Sequence, residues 1–265
     1  MNQKHLDKYI EIRKTAFSQA IALDTELIEI IQEYDSHRFL VNPAGQNVYL
    51  YLTLFVKMLS EYHFNRSIAE LKILDWGCGK GHVSYFLQRL KARPICCDRV
   101  CEDLDSSFGQ PTPIIDKNQI AVVELDREVR LPFESRSLDV VLSFGVLEHV
   151  PHDAKSLLEI NRVLKPQGLF FCFNLPYKLS WTQNLAHLRG DYYHDRLYSK
   201  SQVRQLLQNS GFKIVDLWHR QLLPKNNIRY PQYQLFESID RFITEFTSLK
   251  YLATNIEFVA IADGD

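Results

Sequence analysis

From Leu71 to the end of the chain, short apolar runs alternate with stretches of helical spacing, and this alternation narrows the possible folds more than any other feature. Apolar runs near 71–75, 93–98, 119–125, 138–144, 167–174, 212–219 and 255–262 predict seven strands. Helical patterns fit about 82–91, 153–164 and 199–210. The last of these opens on Ser199 with Gln202 at capping-box spacing and stops before Gly211. Strands separated by helices build βαβ units, whose right-handed crossovers lay helices on both faces of a mostly parallel, doubly wound sheet. Two long segments interrupt the alternation. One, near 175–198, is aromatic and poor in regular pattern; the other, near 221–250, carries a helical pattern from Leu235 to Leu249. Insertions of that length in a compact domain are usually functional.

Ahead of the first strand, Leu6, Ile10, Phe17, Ile21, Leu27, Ile28 and Ile31 recur at mostly helical spacing, and a second apolar run covers Val48 to Leu59. The segment Asn42-Pro43-Ala44-Gly45 between them has turn chemistry. The expected organisation is a helical cap over 1–69 followed by an α/β domain over 70–265. A chain of 265 residues, 46% hydrophobic, is long enough for one large core.

Thirty-one Lys and Arg against 32 Asp and Glu leave a formal charge of -1, which argues against a surface built throughout for nucleic acid, and no DNA partner is expected. The charge is unevenly spread: residues 161–230 hold 11 Lys and Arg against 3 Asp and Glu, a formal +8. No apolar stretch approaches the roughly 18 residues needed to cross a bilayer. The five cysteines are an odd number, and the opening MNQKHLDKYIEIRK has no apolar signal core, so a reducing, cytoplasmic setting is expected. Cys97 and Cys101 have no second Cys or His pair at zinc-site spacing.

The densest chemical signal is Ile73-Leu74-Asp75-Trp76-Gly77-Cys78-Gly79-Lys80-Gly81, a strand running into a glycine turn that opens a helix. Glycines there let the backbone turn sharply and approach a ligand with no Cβ in the way. A dinucleotide fingerprint counted from Gly77 and Gly79 requires its third glycine at position 82, where His82 stands, so pyrophosphate binding and a nicotinamide oxidoreductase are disfavoured. Asp98 closes the second strand, 21 residues after Gly77, where a carboxylate can accept from both hydroxyls of a ribose. Asp126 follows the third strand and is placed to meet an adenine amino group; a turn role is the alternative.

These residues, together with Leu131-Pro132-Phe133, Leu138-Asp139-Val140-Val141, Leu147-Glu148-His149-Val150 and Arg162-Val163-Leu164-Lys165-Pro166-Gln167-Gly168 in that order, resemble class I S-adenosylmethionine-dependent methyltransferases. They resemble especially the branch of quinone-biosynthesis and related small-molecule enzymes. The resemblance covers about residues 70–220. It implies a Rossmann-like seven-stranded sheet in order 3-2-1-4-5-7-6 with strand 7 antiparallel, and S-adenosylmethionine as cofactor. It also implies that Asp75 and the loop Gly77, Cys78, Gly79 and Gly81 face the methionine part, Asp98 the ribose and Asp126 the adenine. Ser143 and Phe144 would face the donor's open side. One extra residue separates Asp126 from the Leu-Pro-Phe turn relative to the commonest pattern.

The sulfonium is already activated, so in-line displacement needs chiefly an aligned, deprotonated nucleophile. A general base is required for a hydroxyl or a protonated amine, and the candidates are His149 and His194. Some quinone-pathway relatives hold a metal near the equivalent Glu-His pair, but Gly145 stands where an additional acidic ligand belongs, and no metal is expected. In the aromatic segment, Tyr177, Arg189, Tyr193 and Arg196 are candidate acceptor contacts, the rings for stacking and the guanidinium forks for a carboxylate or phosphate. The expected reaction is methylation, on oxygen, of a small or lipid-like acceptor, with an anionic one favoured by the charge excess. The alternatives are an RNA methyltransferase using the +8 region as a phosphate track, and a donor-binding regulatory protein without turnover.

Overall fold

The computed structural model describes residues 3–19, 24–33, 43–99, 112–125, 129–190, 194, 196–223 and 232–263. Among them, β1 (Ile73–Trp76), β2 (Pro94–Arg99), β3 (Val122–Leu125), β4 (Leu138–Phe144), β5 (Leu164–Pro176), β6 (Phe212–Arg220) and β7 (Asn255–Ala262) form one sheet. Its order is β3-β2-β1-β4-β5-β7-β6, as the resemblance implied. Pairing is parallel between β1 and β2, β2 and β3, and β4 and β5, whereas β7 runs antiparallel to β5 and β6. The chain divides into two compact units, 1–128 with 226–233, and 129–225 with 234–265.

In the first unit, α1 (Gln3–Phe17), α2 (Thr25–Glu33), α3 (Pro43–Phe64), α4 (His82–Arg89) and α5 (Pro113–Lys117) accompany β1 to β3. Of the turn expected at 42–45, Asn42 lies outside the described residues and Pro43 onward is the first turn of α3: proline is tolerated there because the first helical N–H groups have no intrahelical partner in any case. Leu27, Ile30 and Ile31 of α2 share a buried cluster with Cys78, Tyr85, Phe86, Cys96, Ile114, Ile115 and Ile120. The N-terminal helix α2 is thus part of the same core as the first strands.

In the second unit, α6 (Asp153–Val163), α7 (Trp181–Leu188), α8 (Lys200–Asn209) and α9 (Gln232–Phe246) surround β4 to β7. Every residue of β7 is buried, as expected of a strand paired on both edges. The capping box at Ser199 forms, with Gln202 N–H donating to Ser199 Oγ and the Gln202 side chain accepting from Ser199 N–H. β5 starts three residues before its expected limit because Leu164 pairs Leu138, and the register then shifts so that Val140 pairs Leu169. The intervening Lys165-Pro166-Gln167-Gly168 turn is tight: a Cβ on Gly168 would lie 2.8 Å from the Lys165 carbonyl oxygen. Within the segment that sequence pattern leaves irregular, Ser180 caps α7 by accepting from Gln183 N–H at 3.2 Å.

Candidate functional site

The first unit holds the glycine turn after β1. Gly77, Gly79 and Gly81 have φ of 72°, 53° and 82°, the left-handed region that side chains disfavour. Gly77 and Cys78 N–H both donate to Cys97 O, at 2.9 and 3.1 Å, which ties the turn to the end of β2. At Gly81 even an added methyl fails, since a Cβ there would stand 2.7 Å from Ile115 Cγ1. Gly81 is followed by α4, whose opening N–H groups face the turn, a geometry that favours negatively polarised ligand atoms.

Two carboxyls flank this turn. Asp98 Oδ2 accepts from Gly79 N–H at 2.6 Å and Oδ1 from Arg99 N–H at 2.7 Å, so the group that closes β2 reaches into the turn. Partial burial pushes the Asp98 pKa up, opposed by those two hydrogen bonds. Asp75 is 1% exposed and accepts from Ser84 Oγ at 2.6 Å; Ser84 Oγ in turn sits 2.9 Å from Cys96 Sγ. Burial raises the Asp75 pKa to about 7, the Ser84 hydroxyl working against the rise and the nearby Asp98 charge adding to it. Asp75 therefore fastens the turn to the first turn of α4, a positioning task that its place in the motif did not reveal. Cys78 is buried in the α2 cluster. Asp126 lies outside the described residues.

The second unit holds a separate polar cluster just past β4. The chain turns through Gly145, with φ of 69°, and His149 N–H donates to Val146 O at 2.9 Å. This turn points the Glu148 side chain inward, where it is 1% exposed. Its Oε1 lies 3.9 Å from His149 Nε2 and 4.0 Å from His194 Nδ1, the His194 ring arriving from the segment after α7. The two imidazoles are 5.5 Å apart, centre to centre, with side-chain exposures of 43% for His149 and 21% for His194. Among the described residues no other residue hydrogen-bonds the Glu148 carboxylate oxygens, and burial drives its pKa up to about 8, with its own backbone N–H and, less, Arg196 pulling the other way. The structure thus brings together both base candidates and adds Glu148, which the sequence showed only as a letter in a motif.

One ligand atom from each of Glu148, His149 and His194 fits within a mutual separation of 4.8 Å, a donor set that can hold a divalent cation. The expectation of no metal rests on Gly145 alone. His194, remote in sequence, is a donor that this expectation leaves out.

The other candidates are distributed as follows. Ser143 is buried opposite Cys172 in the β4–β5 register, and Phe144 packs on Phe173 at 4.8 Å. Tyr177 is buried against His219, 4.7 Å between rings. Arg196 donates to Val150 O at 2.7 Å, with Asp153 Oδ2 3.9 Å away, which anchors the chain around the Glu148 turn. Arg189, at the end of α7, is exposed. Tyr193 lies outside the described residues.

Residues 74–172, from β1 to β5, match a methyltransferase domain family. Over that stretch the chain is similar to methyltransferase domains. The methyltransferase match begins inside β1 and ends inside β5, so it takes in the glycine turn, Asp98 and the Glu148–His149 pair. A ubiquinone biosynthesis O-methyltransferase of Rickettsia bellii is 24% identical over 169 residues, 58% of this chain and 66% of that protein. The mitochondrial ubiquinone biosynthesis O-methyltransferase of mouse is 27% identical over 171 residues, covering 60% of this chain and 46% of that one. The chain thus spans less than two thirds of either relative. Among solved structures, a putative sarcosine dimethylglycine methyltransferase from Galdieria sulphuraria shares the methyltransferase fold, with a TM-score of 0.56, 18% identity, and coverage of 83% of this chain and 87% of that one.

Proposed function

We propose that the protein transfers the methyl group of S-adenosylmethionine to an oxygen of a small-molecule acceptor. The observation that carries this reading is the glycine turn with three left-handed glycines, held to β2 and met by Asp98. Its backbone can lie against the methionine part of the donor, while Asp98, which keeps lone pairs on both oxygens, accepts from the ribose hydroxyls. The names of the Rickettsia and mouse relatives support an oxygen acceptor.

A hydroxyl attacks the sulfonium methyl group efficiently only as its proton leaves, and that is the task of the imidazoles beside Glu148. His149 is the more exposed of the two and His194 the more enclosed. Either ring can take the proton, and the cation that results favours the ionised form of Glu148, which burial otherwise disfavours. A divalent cation held by the same three groups would instead polarise the acceptor oxygen. Exposed Arg189 and the +8 stretch favour an acceptor or carrier with negative charge.

The test is turnover of methyl-labelled S-adenosylmethionine with a panel of phenols, catechols and carboxylate-bearing phenols, before and after chelator treatment. Labelled ether products, formed equally after chelation and lost in the His149→Ala/His194→Ala variant, are the expected result. Label found on amines or on RNA, or transfer that the double variant leaves intact, would overturn the reading.

A further inference from the structure

Among the described residues, large apolar side chains left in water are concentrated at one end of the second unit. Twelve of the fourteen fall in two short stretches: Leu179 to Leu188, around α7, and Leu235 to Leu252, along α9 and the 3-10 turn Ser248–Leu252. The other two are Tyr62 and Leu158, so the set is no random scatter.

α9 shows the physics most clearly, because it is folded inside out. Leu235, Ile239, Phe242 and Phe246, spaced four, three and four residues apart, are 62%, 41%, 61% and 67% exposed. Its inward face is polar: Glu237, Asp240 and Thr244 are all buried. The inversion is held in place by Asp240, whose Oδ1 accepts from the N–H groups of Leu222 and Leu223, both at 2.8 Å. The same turn anchors α7, since Trp181 Nε1 donates to Leu222 O at 2.8 Å and Thr182 pairs with Thr254 at 2.9 Å. On α7, Trp181, Leu185 and Leu188 again share one face at i, i+4 and i+7, all exposed. The aromatic members alone present about 150–250 Å² each when fully open, so these half-exposed side chains leave several hundred Å² of apolar surface in water.

The charges around this surface select its partner. The inward face of α9 removes two acids, Glu237 and Asp240, while Lys178 and Arg189 are exposed and Arg241 and Lys250 partly so; among the described residues Glu245 is the one accessible acid of these stretches. Apolar residues ringed by cations complement a layer that is oily inside and anionic at its face. A two-fold contact with a second copy would set the same cations against each other. Nor does the surface serve to span a bilayer, since no described helix is long and apolar enough to cross one. We propose that the outward faces of α7, α9 and the 248–252 turn dock the protein on the surface of an anionic lipid bilayer, a role that stands whether or not the acceptor is the one proposed above.

The test is co-sedimentation of the full chain with vesicles of phosphatidylcholine mixed with phosphatidylglycerol, against phosphatidylcholine alone. The expected result is binding to the mixed vesicles that weakens as salt rises. Phe242→Ser/Phe246→Ser should lower partitioning at least about tenfold, because the apolar area of two rings is lost. Lys178→Gln/Lys250→Gln should lower it on anionic vesicles and flatten the salt dependence. Circular dichroism and melting unchanged from the parent confirm that these exposed substitutions leave the fold intact. Absence of vesicle binding by the parent would overturn the proposal. So would a dimer in sedimentation that the Phe substitutions abolish, since the surface would then belong to a second copy.

Discussion

Asp75→Asn should make the ligand-free protein less sensitive to alkali, and the size of the effect follows from where the carboxyl sits. Its pKa is about 7 in the fold against an ordinary 3.8, chiefly because burial disfavours the charge. A carboxyl whose folded pKa is raised contributes stability that is complete below its unfolded pKa and is lost as pH rises through the folded one. For Asp75 the loss therefore runs from about pH 4 to about pH 7. Each unit corresponds to about 1.4 kcal/mol, so between about pH 5 and about pH 8 the parent loses about 3 kcal/mol through this group. Asparagine cannot ionise. The cost of burying its amide shifts the comparison by a constant and leaves the pH slope untouched. Urea unfolding of both proteins over that pH range, followed by circular dichroism, gives the difference directly, and other titrating groups cancel. It should move by about 3 kcal/mol in favour of the Asp75→Asn variant as pH rises. A difference constant over that range would refute the claim that Asp75 is charged only at a cost.

Three other outcomes are expected. Asp98→Ala should weaken S-adenosylmethionine binding by about 1–3 kcal/mol in calorimetry, the scale of hydrogen-bonding groups left unpaired; unchanged affinity would remove Asp98 from the donor site. Gly81→Ala combines a left-handed φ with a 2.7 Å approach to Ile115, and should destabilise the chain by about 1–3 kcal/mol in thermal or urea unfolding. Arg189→Gln, which leaves in place the Arg196 brace on the Glu148 turn, should raise the acceptor's apparent KM at low salt and leave donor affinity alone; equal kinetics would reduce the positive stretch to ordinary surface.

The sheet was legible because each strand carries a short apolar run bounded by turn chemistry, even in β2 and β3, which are only partly buried, and the family motifs then supplied the strand order that periodicity cannot. Asp98 was legible for a related reason: a fixed number of residues separates the end of β1 from the end of β2. His194 could be named as a base candidate, but its approach to Glu148 could not be read. That proximity depends on a chain path through the irregular segment after α7. The helix α7 itself was hidden because its eight residues carry only Trp181, Leu185 and Leu188 as an apolar stripe, too short a run to stand out in an irregular aromatic segment. α9 presents the converse problem. Its periodicity predicted a helix correctly, but amphipathic spacing alone does not say which face is inward, and three buried polar residues reverse the usual choice.

α2 has a consequence for anyone cutting this chain to the segment that matches the family. Leu27, Ile30 and Ile31 pack in the same cluster as Cys78 of the glycine turn, and Asp24, just before the helix, accepts from the Tyr85 hydroxyl of α4 at 2.9 Å. Lys117 of α5 pairs with Glu33 at the other end. The back wall of the glycine turn is therefore made in part from residues far upstream of the family boundary at 74. A fragment starting there would keep every signature residue and still open that wall to solvent. Homology marks where the chemistry is written; the unit that folds begins earlier.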